Sequence, residues 1–148
     1  MRVVLQVVSH ASCTIDEKKV SSIQKGYMAL VGFCEEDTEE IVDRMIQKIV
    51  KLRVFVDENE KMNLSIQDID GSVLSISQFT LYANCKKGNR PSFIDAAKPA
   101  LSSPLYDYFN KQLENFVPVQ TGVFGADMKI DLCNDGPITI LLDSSELF

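Results

Sequence analysis

Two stretches hold the residues best suited to chemistry. Ser77-Gln78-Phe79-Thr80-Leu81-Tyr82 puts hydroxyl and carboxamide groups at the end of an apolar run, and Asn134-Asp135-Gly136-Pro137-Ile138-Thr139 sets Gly-Pro where neither residue suits a sheet. The rest of the inventory narrows the chemistry by subtraction. His10 is the only histidine, and Cys13, Cys34, Cys85 and Cys133 are scattered without metal-like spacing. A Ser-His-Asp or Cys-His system would have to recruit that one ring, and His10 reads as structural. The expected reactive groups are therefore backbone amides and hydroxyls, with no metal and no cofactor.

Within the first stretch, Gln78 offers donor and acceptor together, so it can hold the sugar hydroxyls of a nucleotide or simply satisfy loop amides. Thr80 is a weak nucleophile unless a base activates it, and no Lys, His or carboxylate stands beside it in sequence. Strand alternation would put Gln78 and Thr80 on one face, with Phe79 and Leu81 on the other. If the strand breaks at Phe79, the N–H groups of Phe79 and Thr80 become free to bind a developing oxyanion. Gly136-Pro137 reads as a hairpin turn, yet an apolar strand resumes at once at Ile138. A cis bond there would turn successive carbonyls to one side as an acceptor wall; the sequence leaves the isomer open. The third candidate, Thr121 to Met128, brackets an aromatic with glycines, so backbone can approach a ligand. Phe124 can stack a base and Met128 pack beside it, although a turn over buried aromatics would look the same.

The elements that must position these residues follow from pattern. At 148 residues, 45% hydrophobic and 24% charged, the chain reads as one domain, 1–148, with a full core. Met1 to Val8, Ser12 to Ile15 and Val20 to Ile23 read as strands, and the nearly all-apolar Tyr27 to Phe33 as a central one. Asp37 or Thr38 can cap a helix whose apolar stripe is Ile41, Met45, Ile46, Ile49, Val50 and Leu52. Arg53 to Val56 and Val73 to Ser77 read as further strands. Ser92 to Ala97 reads as a short helix stopped before Pro99, and Ser103-Pro104 as the start of a longer one. Met128 to Cys133 and Ile138 to Leu142 are expected to pair as a hairpin. Strands arriving in pairs make the fold class α+β with an antiparallel or mixed sheet.

The formal charge of −6 and pI near 4.7 oppose nucleic-acid binding through bulk electrostatics, so any RNA contact must be local. Lys86-Lys87-Gly88-Asn89-Arg90 is the basic cluster nearest the suspected site, either a solvated turn or such a contact. The apolar start is too short for a signal peptide and no run is long enough to cross a bilayer, so a cytoplasmic protein is expected, with reduced cysteines.

These motifs, with Met1 to Gln6, Lys87 to Phe93 and Gly122 to Met128, occur in the same order as the signatures of the D-aminoacyl-tRNA deacylases, which the chain resembles over essentially its whole length. The resemblance implies a barrel-like sheet with flanking helices, a homodimer and an aminoacyl-tRNA substrate bound by its acceptor end. It implies hydrolysis of the ester of D-aminoacyl-tRNA, with glycyl-tRNA accepted to some extent. Ser77, Gln78, Phe79, Phe124 and Met128 would bind substrate, Gln78 and Phe79 at the terminal adenosine, and Thr80 would lie nearest the scissile ester. The amides of Phe79 and Thr80 would hold the oxyanion while the ribose 2′-hydroxyl assists attack, with Thr80 as covalent nucleophile the competing proposal. Gly136 and Pro137 would enter the partner's pocket through a cis bond and exclude L side chains. The chain departs from the family at Val7, where an arginine usually braces the Gly-Pro loop. A relative that edits L-alanyl-tRNA also lacks that arginine. The alternatives are therefore an editing deacylase of relaxed chirality and a non-catalytic tRNA-end-binding dimer.

Overall fold

The computed structural model describes residues 1–148, and one long strand organises it. β1 (Arg2–Ile15) is continuous through Ser9 and His10, where the sequence pattern suggests two separate strands. It turns through Asp16 and Glu17, both at positive φ (47° and 63°), the left-handed pair whose twist suits a tight hairpin, into β2 (Lys18–Ile23). β3 (Gly26–Gly32) then pairs antiparallel with the first half of β1.

Helix α1 (Glu39–Lys51) follows. Thr38 caps it by accepting from the Ile41 N–H, Glu39 and Glu40 occupy its first turn, and Val42, Met45, Ile46, Ile49 and Val50 form the buried stripe. Truncating a fully buried member such as Ile46 to Ala costs about 2–5 kcal/mol. β4 (Phe55–Val56) and β5 (Met62–Leu64) make a small separate ladder, shorter than the strand expected from Arg53. β6 (Ser72–Ser77) runs parallel to β3, and β7 (Val119–Thr121) parallel to β6.

Helix α2 (Pro99–Leu113) begins at Pro99, not at Ser103-Pro104. Pro99 takes the first helical position, where its missing N–H would be unpaired anyway, while Pro104 is carried inside the helix with the loss of one ladder bond. Ser92 to Ala97 is not a helix: Ser92 pairs back with Asn84 in an isolated bridge, and Ala97 N–H donates to the Phe33 carbonyl. These tertiary bonds offer the segment's backbone groups partners that a one-turn helix would not.

The expected C-terminal hairpin is also absent. β8 (Lys129–Asp143) is one strand, antiparallel to β1 from Thr14↔Lys129 to Arg2↔Asp143, and α3 (Ser144–Leu147) follows it. β8 finds a ready-made long partner in β1, so it need not fold on itself. The resulting six-stranded mixed sheet curls until β2 approaches β6 and β7, a nearly closed barrel. The helices cover its outer face over Val3, Leu5, Val7, Tyr27, Ala29 and Val31, and a smaller core of Val8, Ala11, Cys13, Met28, Leu74 and Ile76 fills the inside. The α-amino group of Met1 is buried against the Asp37 carboxylate and the Ser144 hydroxyl, which ties the start of β1 to the approach to α1 and to α3.

Candidate active site

β6 ends at Ser77, and the chain there turns out of the sheet. Gln78 N–H still donates to the Val31 carbonyl at 2.7 Å, but Gln78 has left the strand conformation (φ −147°, ψ 84°) and Phe79–Tyr82 form a 3-10 helix. The alternation expected through Ser77 to Tyr82 therefore fails, and the break falls where free amides were sought. As the first residues of a helix, Phe79 and Thr80 have no acceptor within it, and no other protein group accepts from their N–H groups.

Three contacts hold this turn in place. Gly32 lets it sit against β3, since a Cβ there would lie 2.8 Å from the Gln78 carbonyl oxygen. The Arg2 guanidinium donates to the Leu81 carbonyl at 3.0 Å and to Asp143 at 2.7 Å, and lies 4.6 Å over the Tyr82 ring. Burial works against the Asp143 charge, but the bonds from Arg2 and Ser145 outweigh it and hold that carboxyl below its ordinary value.

Beside the turn lies a cleft of about 650 Å³. Its walls include Ser77, Gln78 and Phe79 on one side and Phe124 to Met128 on another, so five of the expected substrate-binding residues meet in one place. Residues not singled out from sequence complete it: Phe33, Phe93 and the start of α2 at Lys98, Pro99 and Ser102. Pro99 was the available signal for that helix start, masked by the stronger-looking Ser-Pro at 103–104. Phe79 is 57% exposed and meets Phe93 edge-on at 5.1 Å, leaving an aromatic face at the mouth. Phe124 packs against Tyr106, with ring centroids 6.1 Å apart, and so serves as a wall.

Thr80 is not part of the wall. Its hydroxyl accepts from the Gln78 side-chain amide at 2.5 Å and has no base among its partners. The only charged wall residues are Lys98 and Asp127, and the Asp127 carboxylate is paired with Lys129 at 2.7 Å in solvent. Burial pushes the nearby Tyr82, Cys34 and Tyr106 groups up, so none of them supplies a base near neutrality. His10 is exposed on β1, where its ring shares a hydrogen bond with Ser9. This arrangement can orient an ester and stabilise an oxyanion, and its one wall carboxylate, Asp127, is engaged by Lys129.

Gly136 and Pro137 lie elsewhere. Between Gln6↔Thr139 and Val8↔Asn134, only Val7 on β1 faces Asp135, Gly136, Pro137 and Ile138 on β8, so these four residues form an excursion from the ladder, with Asp135, Gly136 and Pro137 exposed and Ile138 half-buried against the core. Its Gly136–Pro137 bond is cis, and Gly136 sits at φ +121°, where an added Cβ would also meet the Ile138 side chain at 2.7 Å. The Asn134 amide donates to the Thr139 hydroxyl at 3.1 Å across the neck, and Gln6 donates to the same oxygen at 3.5 Å. That accounts for the outer residues of the Asn-x-Gly-Pro-x-Thr motif: they clasp the excursion. Val7, at the position where the family usually carries an arginine by the resemblance above, is buried beneath. The excursion sits four residues along β1 from Val3, the level of the cleft, or about 13 Å, and across intervening β1 and β3.

The family model for D-Tyr-tRNA(Tyr) deacylase matches residues 4–143. A D-aminoacyl-tRNA deacylase of Flavobacterium johnsoniae is 53% identical over 146 residues, 97% of each chain. Among solved structures, the c-Myc DNA Unwinding Element Binding Protein superposes with a TM-score of 0.91 at 38% identity, covering 97% of this chain and 98% of that one. A probable eukaryotic D-amino acid tRNA deacylase superposes with a TM-score of 0.80 at 18% identity over 95% of this chain and 97% of its own, a likeness of fold.

Proposed function

This chain belongs to the D-Tyr-tRNA(Tyr) deacylase family, and from that premise we propose that it is an editing hydrolase that cleaves the ester of D-aminoacyl-tRNA to free tRNA and free D-amino acid. The observation that carries the mechanism is the pair of unpartnered amides at Phe79 and Thr80 beside a cleft whose one carboxylate, Asp127, is turned to Lys129 in solvent. The terminal adenosine docks at Gln78 and the exposed Phe79 ring. Water attacks the ester carbonyl, the two amides hold the oxyanion, and the neighbouring ribose 2′-hydroxyl relays the proton to the departing 3′-oxygen. Each such donor is worth about 2.7–4 kcal/mol of barrier in systems where one has been removed.

The working molecule is a homodimer in which the partner's Gly136 and Pro137 enter the cleft. Their distance from the cleft of their own chain supports this, as does the outer edge of β8, which no strand of this chain covers. Partner carbonyls facing the substrate Cα occupy the volume of an L side chain and leave a D side chain free, so glycine, with none to exclude, passes in part. Val7 lies beneath the excursion, and the Asn134–Thr139–Gln6 clasp supplies the bracing.

The deciding assay compares D-tyrosyl-, L-tyrosyl- and glycyl-tRNA side by side. The expected result is fast release from the D ester, partial release from glycyl-tRNA and none above background from the L ester. Comparable L and D rates, with L-alanyl-tRNA also cleaved, would instead establish an editing enzyme of relaxed chirality. Three intact esters would establish a binding module.

A further inference from the structure

The remaining grooves include one of opposite electrical character to the protein that bears it. It has a volume of about 550 Å³ and runs along the outer face of α1 to Phe148, lined by Arg44, Lys48, Lys51 and Arg53 among eight residues. The chain carries 21 acidic and 15 basic side chains, yet no acidic side chain closes an ion pair with these cations, although Arg53 stands near enough to Asp68 to help hold that carboxyl below its ordinary value. The ion pairs of the protein are Met1–Asp37, Arg2–Asp143 and Lys129–Asp127. The groove's one acid, Asp43, accepts from the Tyr108 hydroxyl at 3.1 Å, and Arg53 is bound to the neutral Asn63.

The helix dipole accounts for Lys48 and Lys51 in the last turn of α1, but not for Arg44 in mid-helix or Arg53 beyond its end. The Arg44 guanidinium carbon lies 4.2 Å from the centroid of the Phe148 ring, a cation–π contact that leaves its N–H groups without a carboxylate partner. Arg44, Lys48 and Lys51 share one exposed helix face over about 10 Å, a row matched to a polyanion. The apolar lining is confined to Leu52 and Phe148, too little to enter a lipid layer.

We infer that this groove is a docking surface for the phosphate backbone of the tRNA body, separate from the cleft that takes the aminoacyl end. The inference rests on the proposed tRNA substrate and extends it. A chain of net charge −6 repels RNA as a whole, so affinity must come from places where cations stand unneutralised. The chain leads from the cleft wall at Phe33 through Cys34 to Thr38 into the start of α1, and the groove lies along the later turns of that same helix.

The test reads binding and chemistry separately. The triple variant Arg44→Ala/Lys48→Ala/Lys51→Ala, and the milder Lys48→Ala/Lys51→Ala, change exposed side chains, and thermal melting checks that both fold. Affinity for uncharged tRNA is measured by fluorescence anisotropy over a range of salt, and hydrolysis with a D-tyrosyl ester of a CCA trinucleotide. The triple variant should bind tRNA at least tenfold more weakly. Its log–log salt dependence should be shallower by about two units, at roughly 0.7–0.9 per lost phosphate contact. Hydrolysis of the short ester should be unchanged. Unaltered tRNA affinity and salt slope would overturn the docking surface, while wild-type cleavage of the short ester would leave the proposed reaction standing. Tighter wild-type binding to phosphatidylserine vesicles than to tRNA, lost in the same variant, would also overturn it in favour of a membrane.

Discussion

At the scale of single residues, the account assigns chemistry to main chain and orientation to side chains. Thr80 is the sharpest case. Its hydroxyl is occupied by Gln78 and has no base, so Thr80→Ala should keep kcat within a few fold, whereas a covalent nucleophile would lose many orders of magnitude. Single-turnover deacylation of D-tyrosyl-tRNA separates the two. His10 should be equally dispensable: His10→Asn should leave the pH–rate profile superimposable on wild type, since the ring is far along β1 from Ser77 and bonds only to Ser9. Thr139 has the opposite expectation. Thr139→Val keeps the β-branched shape but removes the oxygen shared by Asn134 and Gln6, so D-ester cleavage should persist while L-ester cleavage rises above background. The candidate residues stand out in the sequence because Gln, Gly and Pro occur where a strand does not want them. The clasp was not, since Gln6 and Thr139 become neighbours only when β1 and β8 pair.

At the scale of elements, the decisive event is the end of β6 at Ser77. A strand continued through Thr80 would satisfy the amides that the 3-10 turn leaves open. Arg2, bridging Asp143, Leu81 and Tyr82, locks that turn to the end of the β1–β8 ladder where Arg2 pairs with Asp143. Asp143→Asn should therefore cost about 1 kcal/mol at neutral pH, as a partly exposed pair does, and lower kcat more than stability. Because the Asp143 pKa is depressed in the folded state, its contribution is fully present above the unfolded carboxylate value, about 3.9, and is lost as pH falls through the folded value. Thermal melts of the two proteins should thus differ by a constant amount from pH 7 to about pH 5 and converge in acid. Periodicity made β3, α1 and β6 readable in advance. It misplaced the start of α2 because two prolines competed for one helix start, and it split β8 because a Gly-Pro inside a long strand looks like a turn until its partner strand is known. The cations of α1 were passed over for the same reason as the clasp: their lack of acidic partners is a fact of three dimensions.

At the scale of the whole molecule, one barrel carries the candidate cleft and, on a distant part of its surface, the peptide proposed to police it, so the proposed filter requires a second copy. Deleting Asp135, Gly136 and Pro137 would leave Ile138 alone opposite Val7, a regular ladder with both side chains still toward the helix-covered core. That variant should fold, cleave D-tyrosyl-tRNA and gain cleavage of L-tyrosyl-tRNA. The direct measurement mixes it with an excess of a second variant, Gln78→Ala/Phe79→Ala, that keeps Gly136 and Pro137 but has a disabled cleft. After subunit exchange, each working cleft is paired with an intact excursion from its partner. The account predicts that L-tyrosyl-tRNA hydrolysis falls toward background while D-tyrosyl-tRNA hydrolysis remains. If the L activity is unchanged by the added subunit, the filter does not act between chains and the account is wrong.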